Sequence, residues 1–117
     1  MSGPIVQIFG HQKCADTRKA ERWFKERRVK IQMIDLREKG ISPGELRSVS
    51  ASVGGLEQLI DREGTRYTEK GLRHSAPTLA RIEELLQQDA RLLRTPIVRR
   101  GSVATVGYRP DAWALWK

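Results

Sequence analysis

The sequence predicts an α/β fold in which a small mixed four-stranded sheet is flanked by helices. Two short apolar runs bracket an amphipathic segment near the N terminus, and two more lie on either side of a glycine-serine pair near the C terminus. The first pattern is typical of a strand–helix–strand unit and the second of a β-hairpin. A long stretch with helical periodicity, residues 39–94, lies between them. We therefore expect one sheet built from both ends of the chain, with a helical insertion between its halves.

The N-terminal part contains the strand–helix–strand unit. The run from Pro4 to Phe9 is rich in β-branched residues and ends at Gly10, which predicts a buried strand followed by a turn. From Ala15 to Arg28, apolar residues recur at helical spacing among charged ones, which predicts an amphipathic helix. Lys30 to Leu36 has the pattern of a second strand. Such a unit places its two strands parallel, with a right-handed crossover.

The middle of the chain predicts helices. Glycines at Gly54-Gly55 and Gly64 divide its first part into short helices. Ser75-Ala76-Pro77 has the pattern of a helix start and precedes an apolar stripe at steps of three and four residues. That stripe consists of Leu79, Ile82, Leu86, Ala90 and Leu93. Thr95-Pro96 is expected to end this helix.

The C-terminal part predicts a hairpin and a final helix. Ile97-Val98 begins a third strand, and Gly101-Ser102 has the composition of a two-residue turn. Val103 to Tyr108 is then a fourth strand, and Pro110 to Trp116 has the pattern of a short amphipathic helix. Tyr108 and Trp113 are interpreted as packing residues. The order β-α-β, helical insertion, β-β-α is that of a thioredoxin-like fold.

The length and composition fit one globular domain. Typical domains run to about 100–150 residues, and the chain has 117. A hydrophobic content of 38% is too high for a disordered tail and the composition excludes collagen and low-complexity classes. We expect a single thioredoxin-like domain over residues 1–117, within which residues 39–94 form the insertion and its connecting helix.

The net charge of +8 raises the question of an anionic partner. The basic residues are interspersed with acidic ones, as on a solvated surface, so we do not expect a nucleic-acid partner. No stretch approaches the roughly 18 consecutive apolar residues that span a bilayer, and residues 1–4 carry no basic targeting segment. We expect a cytoplasmic protein without a membrane partner.

The cysteine and histidine counts exclude several classes of site. Cys14 is the only cysteine, so an internal disulfide and a zinc site built from cysteines are excluded. His11 and His74 are the only histidines, and we expect no metal site.

Cys14 lies between a predicted buried strand and the first turn of a predicted helix. Backbone N–H groups and the positive end of the helix dipole favour an anion there. Next to cations such as Lys13 and Arg18, with His11 as a further neighbour, a cysteine pKa can fall from about 8.5 to roughly 3.5–7.5. The alternative is a small buried hydrophobe. Because the neighbours are polar, we favour a reactive thiolate.

Two nearby residues limit the thiol chemistry. Thr17 occupies the spacing at which dithiol enzymes place their second cysteine. Its hydroxyl can donate a hydrogen bond to the sulfur but cannot resolve a mixed disulfide. Ala20 lies six positions after Cys14, where a phosphatase-type loop needs arginine, so that enzyme class is excluded.

Three stretches of sequence carry a family resemblance. They are GHQKCADTRKAERWF after the first strand, LIDREGTRY in the insertion, and LLRTPIV followed by GYRP. Together they resemble the glutaredoxin-linked arsenate reductase (ArsC) family, including its Spx-type and uncharacterised reductase-like branches. The resemblance implies a thioredoxin-like fold with Pro96 as a cis proline beside the active site. It also implies that Cys14 attacks arsenate or accepts glutathione, with glutathione as co-substrate and no tightly bound cofactor.

The same resemblance implies an oxyanion site with three arginines. Arg109 matches the arginine before the later proline. Thr95, with Arg94 before it, stands where the arginine precedes the cis proline, and Asp61, with Arg62 after it, stands at the position in the insertion. The implied binding residues are Arg109, Arg94, Thr95, Pro96, Lys13 and Thr17, with Arg62 and His11 as further candidates. Arg94, Arg99 and Arg100 flank the third strand and either supplement this site or form a basic, solvent-facing sheet edge.

Three functions are compatible with these residues. The first is an arsenate reductase-like thiol oxidoreductase in which glutathione or glutaredoxin reduces a covalent adduct of Cys14. The second is a glutathione-dependent monothiol protein that acts on another substrate. The third is an Spx-like regulatory module that docks on RNA polymerase. Because Thr17 replaces the second cysteine of a C-x-x-C switch, the third function could not be gated by a disulfide.

Overall fold

The computed structural model describes residues 5–75 and 77–116 and contains one four-stranded sheet. The strands, in chain order, are β1 (Val6–Gly10), β2 (Ile31–Asp35), β3 (Ile97–Arg100) and β4 (Val103–Val106). The helices are α1 (Ala15–Glu26), α2 (Pro43–Val53), α3 (Thr65–Glu69), α4 (Leu79–Gln88) and α5 (Pro110–Trp113). Single 3-10 turns lie at Leu56–Gln58, Leu72–His74 and Ala90–Leu92. In these residues, no helix is long and apolar enough to cross a membrane.

The sheet has the order β2-β1-β3-β4. β1 pairs in parallel with β2, as the crossover through α1 predicts, while β3 runs antiparallel to both β1 and β4. The predicted mixed sheet flanked by helices, and with it the thioredoxin-like fold class, is confirmed. β3 lies inside the sheet, so of the two alternatives for Arg99 and Arg100 the basic sheet edge is wrong.

Hydrophobic side chains cover both faces of the sheet because neighbouring residues of a strand point to opposite sides. Ile8 and Val98 pack with Phe24 and Trp113 of α1 and α5. Phe9 and Ile97, one position away on each strand, pack with residues of the insertion. The insertion contributes Leu46, Val49, Leu59, Leu86 and Leu92 among others. The single sheet is therefore sandwiched between two helical layers, and Tyr108 packs edge-on against Trp113 as predicted.

Several predicted boundaries are displaced. Gly10 is not a turn residue but the last residue of β1, paired with Asp35, while Pro4 lies outside the described residues. α1 ends at Glu26 instead of Arg28, whose φ of 60° is left-handed and incompatible with continuing the helix. β2 and β4 are also shorter than predicted, and α5 ends at Trp113.

The start and end of α4 also differ from the prediction. The helix does not begin at Ser75-Ala76-Pro77, of which Ala76 lies outside the described residues; Thr78 is its N-cap and accepts a hydrogen bond from the amide of Arg81. It stops at Gln88, because the carboxylate of Asp89 caps the following 3-10 turn.

One end of the sheet gathers three segments that are far apart in sequence. Phe9, near the end of β1, pairs with Ile97 at the start of β3, which pairs with Val106 at the end of β4. The loop before α1, the segment before β3 and the segment after β4 therefore meet at this end. The amide of Gly107 donates to the carbonyl of Pro96 at 2.8 Å, which joins two of these segments directly.

Candidate active site

Cys14 lies at the N-terminus of α1, where the chain turns out of the sheet. It is the N-cap residue, with extended backbone angles, and its carbonyl accepts a hydrogen bond from the amide of Arg18 at 3.2 Å. Its own amide donates to the carbonyl of His11 at 3.1 Å, which closes the loop after β1. The side chain is partly exposed. The sulfur therefore stays accessible while its backbone is held on both sides.

Thr95 is the residue that contacts the sulfur from across the sheet. Its hydroxyl donates to Sγ of Cys14 at 3.1 Å, and Sγ also lies 3.7 Å from the Thr95 carbonyl oxygen. The Thr95–Pro96 peptide bond is cis, as the family resemblance implies. The segment before β3 thus meets the cysteine through direct polar contacts.

The pKa of the Cys14 thiol is lowered from its ordinary value. Burial is the largest influence and raises the pKa, but hydrogen bonds from the hydroxyls of Thr17 and Thr95 and from the amides of Thr17 and Asp16 together outweigh it. These groups all favour the thiolate, because each presents a donor to a negative sulfur. The lowered pKa increases the fraction of thiolate, which is the nucleophilic form of the side chain.

Thr17 approaches the sulfur from the first turn of α1. It is fully buried, and its hydroxyl has no partner with full hydrogen-bond geometry among the residues that the structure describes. Thr17 lies three residues after Cys14 in the first turn of α1, and its hydroxyl is one of the groups that lower the Cys14 pKa. Ionisation of Cys14 supplies the buried Thr17 hydroxyl with an acceptor. The Thr95 hydroxyl already forms a hydrogen bond to Sγ of Cys14.

His11 and Lys13 occupy the loop before Cys14. Burial is the main cause of a lowered pKa for His11, and Arg37 and Lys13 lower it further while Asp35 raises it. Nδ1 of His11 is buried and has no hydrogen-bond partner in the described part of the chain. Lys13 is exposed. A neutral imidazole and a solvated ammonium therefore flank the cysteine on this side.

The candidate oxyanion arginines are engaged elsewhere. The guanidinium of Arg109 donates two bonds of 3.3 Å to the carboxylate of Asp111. Arg94 donates to the carbonyl of Gln58 at 3.3 Å. Within the described residues, neither arginine forms a hydrogen bond with Cys14. The structure places them near this end of the sheet but ties each to another partner.

Residues 59–61 of the insertion lie beside the segment before β3. The amide of Arg94 donates to the carbonyl of Leu59 at 2.7 Å, and the amide of Asp61 donates to the carbonyl of Leu92 at 2.8 Å. Asp61 turns its carboxylate back to the amide of Glu63 at 3.2 Å, and Arg62 lies 3.8 Å from Glu57. Neither residue at the insertion position presents a free cation to the sulfur.

A comparison with known families decides the classification. The model of the ArsC family matches residues 9–115, which includes the cysteine loop, the cis proline and Arg109. The chain belongs to the ArsC family.

Individual ArsC-related proteins cover nearly the whole chain. YusI of Bacillus subtilis, an uncharacterised protein, is 29% identical over 91% of this chain and 92% of its own length. The global transcriptional regulator Spx 2 of Oceanobacillus iheyensis is 28% identical over 91% of this chain and 78% of its own length. The solved structure of arsenate reductase from Vibrio cholerae superposes with a TM-score of 0.83 at 22% identity, covering 97% of this chain and 98% of that one.

Two residues of this ArsC site were missed by sequence reasoning. A β-carbon at Gly10 would lie 2.8 Å from Cγ2 of Thr17, so glycine is required where β1 meets α1. A glycine between a strand and the cysteine loop is a sequence signal that a neighbouring side chain packs closely against the backbone there. Asp111 pairs with Arg109, and its position two residues after that arginine was the sequence signal for this pair. Among the residues described, no group of three metal-ligating side chains is present.

Proposed function

We propose that this ArsC-family chain is an arsenate reductase-like thiol oxidoreductase in which the Cys14 thiolate is the nucleophile and glutathione or glutaredoxin supplies the reducing thiol. One observation carries the proposal. The Thr95 hydroxyl donates to Sγ of Cys14 at 3.1 Å, beside the cis proline and at a helix N-terminus. A donor aimed at the sulfur stabilises the thiolate both when it attacks and when it later leaves.

The redox reaction requires two reducing thiols in addition to Cys14. With arsenate, the Cys14 sulfur bonds to arsenic and displaces an oxygen, which leaves as water after protonation. A glutathione thiolate then attacks the Cys14 sulfur, the sulfur–arsenic bond breaks, and its electron pair stays on arsenic as arsenite forms. Cys14 is left in a mixed disulfide with glutathione. A second glutathione, or glutaredoxin, attacks the glutathione sulfur and releases the Cys14 thiolate.

Both reducing thiols have to come from other molecules. Cys14 is the only cysteine of the chain, and Thr17 stands where a resolving cysteine would lie. A free, reactive thiol of this kind is suited to a reducing compartment, where glutathione keeps it reduced. This supports the cytoplasm as the place of action and glutathione as the co-substrate.

The test couples turnover to a spectroscopic signal. Purified protein is mixed with glutathione, glutaredoxin and arsenate, and NADPH consumption is followed through glutathione reductase. We expect turnover with the native chain, loss of it in Cys14→Ser, and a glutathione adduct on Cys14 detected by mass spectrometry. Equal rates for the native chain and Cys14→Ser would overturn the proposal.

A second candidate function follows from the relationship to Spx 2. Its 28% identity extends over 91% of this chain, so a regulatory module that docks on RNA polymerase is a coherent alternative. The discriminating experiment is capture of purified polymerase on immobilised protein. Stoichiometric binding that Cys14→Ser leaves unchanged, together with no turnover, would favour docking over catalysis.

A further inference from the structure

A polar cleft opens beside the turn that follows β2. Its volume is about 590 Å³, which lies in the range of small-molecule binding sites. One wall is the turn at residues 36–40, and the other is the end of α4 with the start of the next 3-10 turn, residues 87–91. Of the ten residues that line the cleft, only Leu36, Gly40 and Ala90 lack a polar side chain. The cleft therefore suits a polar ligand.

The first wall is held by Asp35, the last residue of β2. The carbonyl of Asp35 accepts hydrogen bonds from the amides of Glu38 at 3.1 Å and Lys39 at 2.9 Å. Its carboxylate accepts a hydrogen bond from the amide of Arg37 at 2.8 Å. The side chains of Arg37 and Lys39 are exposed, and neither forms a salt bridge within the described residues. This wall therefore presents two uncompensated cations from a fixed backbone.

The second wall is held by the buried carboxylate of Asp89. Oδ1 of Asp89 accepts hydrogen bonds from the backbone amide and from Nε of Arg91, each at 3.1 Å. Oδ2 accepts a hydrogen bond from Arg66 and lies 3.8 Å from Nζ of Lys70. Because Arg91 bonds to Asp89 through Nε, its two terminal nitrogens have no hydrogen-bond partner in the part of the chain that the structure describes. The Arg91 guanidinium is thus oriented and still able to bind an anion.

The charges on and behind the two walls favour an anion. Five cations are present: Arg37, Lys39, Arg66, Lys70 and Arg91. Three carboxylates accompany them: Glu38, Glu69 and Asp89. The cleft therefore has an excess of two positive charges, and the side-chain amides of residues 87 and 88 add neutral donors.

The kinds of side chain present narrow the class of anion. Guanidinium groups bind phosphate through parallel hydrogen bonds, and one guanidinium belongs to each wall, that of Arg37 to the first and that of Arg91 to the second. No aromatic side chain lines the cleft, so a nucleobase would have no ring to stack on. These features fit a ligand with two phosphoryl groups and no base.

We infer that this cleft binds a small molecule carrying two phosphoryl groups, one held by Arg37 and Lys39 and the other by Arg91. Inorganic pyrophosphate and a sugar bisphosphate share this chemistry. Cys14, Thr95 and the other residues of the candidate active site do not line the cleft, so the inference is independent of the proposed function.

The first experiment measures binding to the purified chain by isothermal titration calorimetry. The probes are sodium pyrophosphate, a hexose bisphosphate, sodium phosphate and a hexaglutamate peptide. At about 50 mM salt we expect a Kd of about 0.1 mM or tighter for at least one of the first two probes, and the tighter of them identifies the source of the phosphoryl groups. Sodium phosphate, which can engage only one wall, should bind at least about 10-fold more weakly, and so should hexaglutamate.

The second experiment removes single charges from the cleft. Arg37→Gln and Lys39→Gln are each expected to weaken binding of the tighter probe by about 10-fold, as loss of one charge-assisted contact implies. Lys30→Gln removes the same charge just before β2, from an exposed side chain without a salt bridge in the described residues, and is the matched control. Binding to Lys30→Gln and to Cys14→Ser should stay within about 2-fold of that to the native chain.

Four results would overturn the inference. The first is a Kd weaker than about 0.1 mM for both pyrophosphate and the hexose bisphosphate. The second is equally tight binding of sodium phosphate or hexaglutamate, which would show attraction by charge alone. The third is a loss for Lys30→Gln as large as that for Lys39→Gln, which would assign binding to the net charge of the chain. The fourth is loss of binding in Cys14→Ser, which would place the anion at the thiol.

Discussion

The side chain of Thr17 fills the space that a β-carbon on Gly10 would occupy. An ideal β-carbon at Gly10 would lie 2.8 Å from Cγ2 of Thr17, closer than nonbonded carbon atoms approach, and 3.2 Å from its Cβ, a tight contact. β1 therefore contacts the first turn of α1 at backbone distance, and Thr17 is completely buried there. The contact sets the position of the helix start, and with it the position of Cys14 relative to the sheet.

Gly10→Ala is predicted to destabilise the fold by about 1–3 kcal/mol, as overpacking of a close contact does. The measurement is the free energy of unfolding from urea denaturation. Removing the opposing side chain in Gly10→Ala/Thr17→Ala should cost less than the two single substitutions summed. Gly44→Ala is the control, since nothing lies within 4 Å of its β-carbon position and no loss is expected. A loss for Gly44→Ala as large as that for Gly10→Ala would contradict the steric explanation.

The sheet and its connections could be predicted because their signals are local. Apolar runs with turns between them specify the strands, and the periodicity of residues 15–28 specifies α1. The end of α4 could not be predicted, because Asp89 stops it through contacts with Arg66 and Lys70, which lie about twenty residues earlier in the chain. Tertiary contacts override local helical periodicity at such a position.

The environment of Cys14 could be predicted from its place in the chain, but the hydrogen-bond partners of the arginines could not. A cysteine that follows a buried strand and precedes an amphipathic helix lies at a helix N-terminus, an environment that lowers its pKa. By contrast, Arg94 bonds to the Gln58 carbonyl, 36 residues away, and no sequence pattern indicates that pairing. The contact between Thr95 and Cys14, 81 residues apart, depends on the sheet order.

Thr95→Val is predicted to raise the Cys14 pKa, because it removes the hydroxyl that donates to Sγ. Since a hydrogen bond to a charged group contributes about 1.5–3 kcal/mol, a rise of about 1 pKa unit is expected. The measurement is the rate of alkylation by iodoacetamide as a function of pH, and at pH values below the Cys14 pKa of both proteins the rate should fall about 10-fold. Thr95→Ser keeps the hydroxyl and should alkylate as the native chain does. Identical profiles for Thr95→Val and Thr95→Ser would show that the hydroxyl does not stabilise the thiolate.

Cys14→Ser is predicted to change how stability depends on pH. The pKa of Cys14 is lower in the folded chain than its ordinary value, so the unfolded state binds more protons between those two values. The contribution of Cys14 to the free energy of unfolding is therefore complete above about pH 8.5 and is lost as pH falls through the folded pKa. Denaturation of both proteins between about pH 5 and 9.5 tests this. The stability advantage of the native chain should grow with pH and then level off; an advantage that shrinks with rising pH would contradict the lowered pKa.

Asp89→Asn is predicted to destabilise the junction between α3 and α4. The Asp89 carboxylate is 8% exposed and accepts hydrogen bonds from Arg66 and from the side chain and amide of Arg91. Burial raises the pKa of Asp89, but these bonds outweigh it and the pKa is lowered. The asparagine substitution should lower the free energy of unfolding by about 2 kcal/mol near neutral pH, because it leaves the guanidinium groups of Arg66 and Arg91 without a carboxylate partner. The difference from the native chain should vanish as pH falls through the Asp89 pKa, since protonation removes the same charge.

Glu84→Gln, which breaks only the exposed pair with Arg81, is the control and should stay within about 0.5 kcal/mol. Equal losses for the two variants in urea denaturation would show that the buried network adds nothing beyond a surface ion pair.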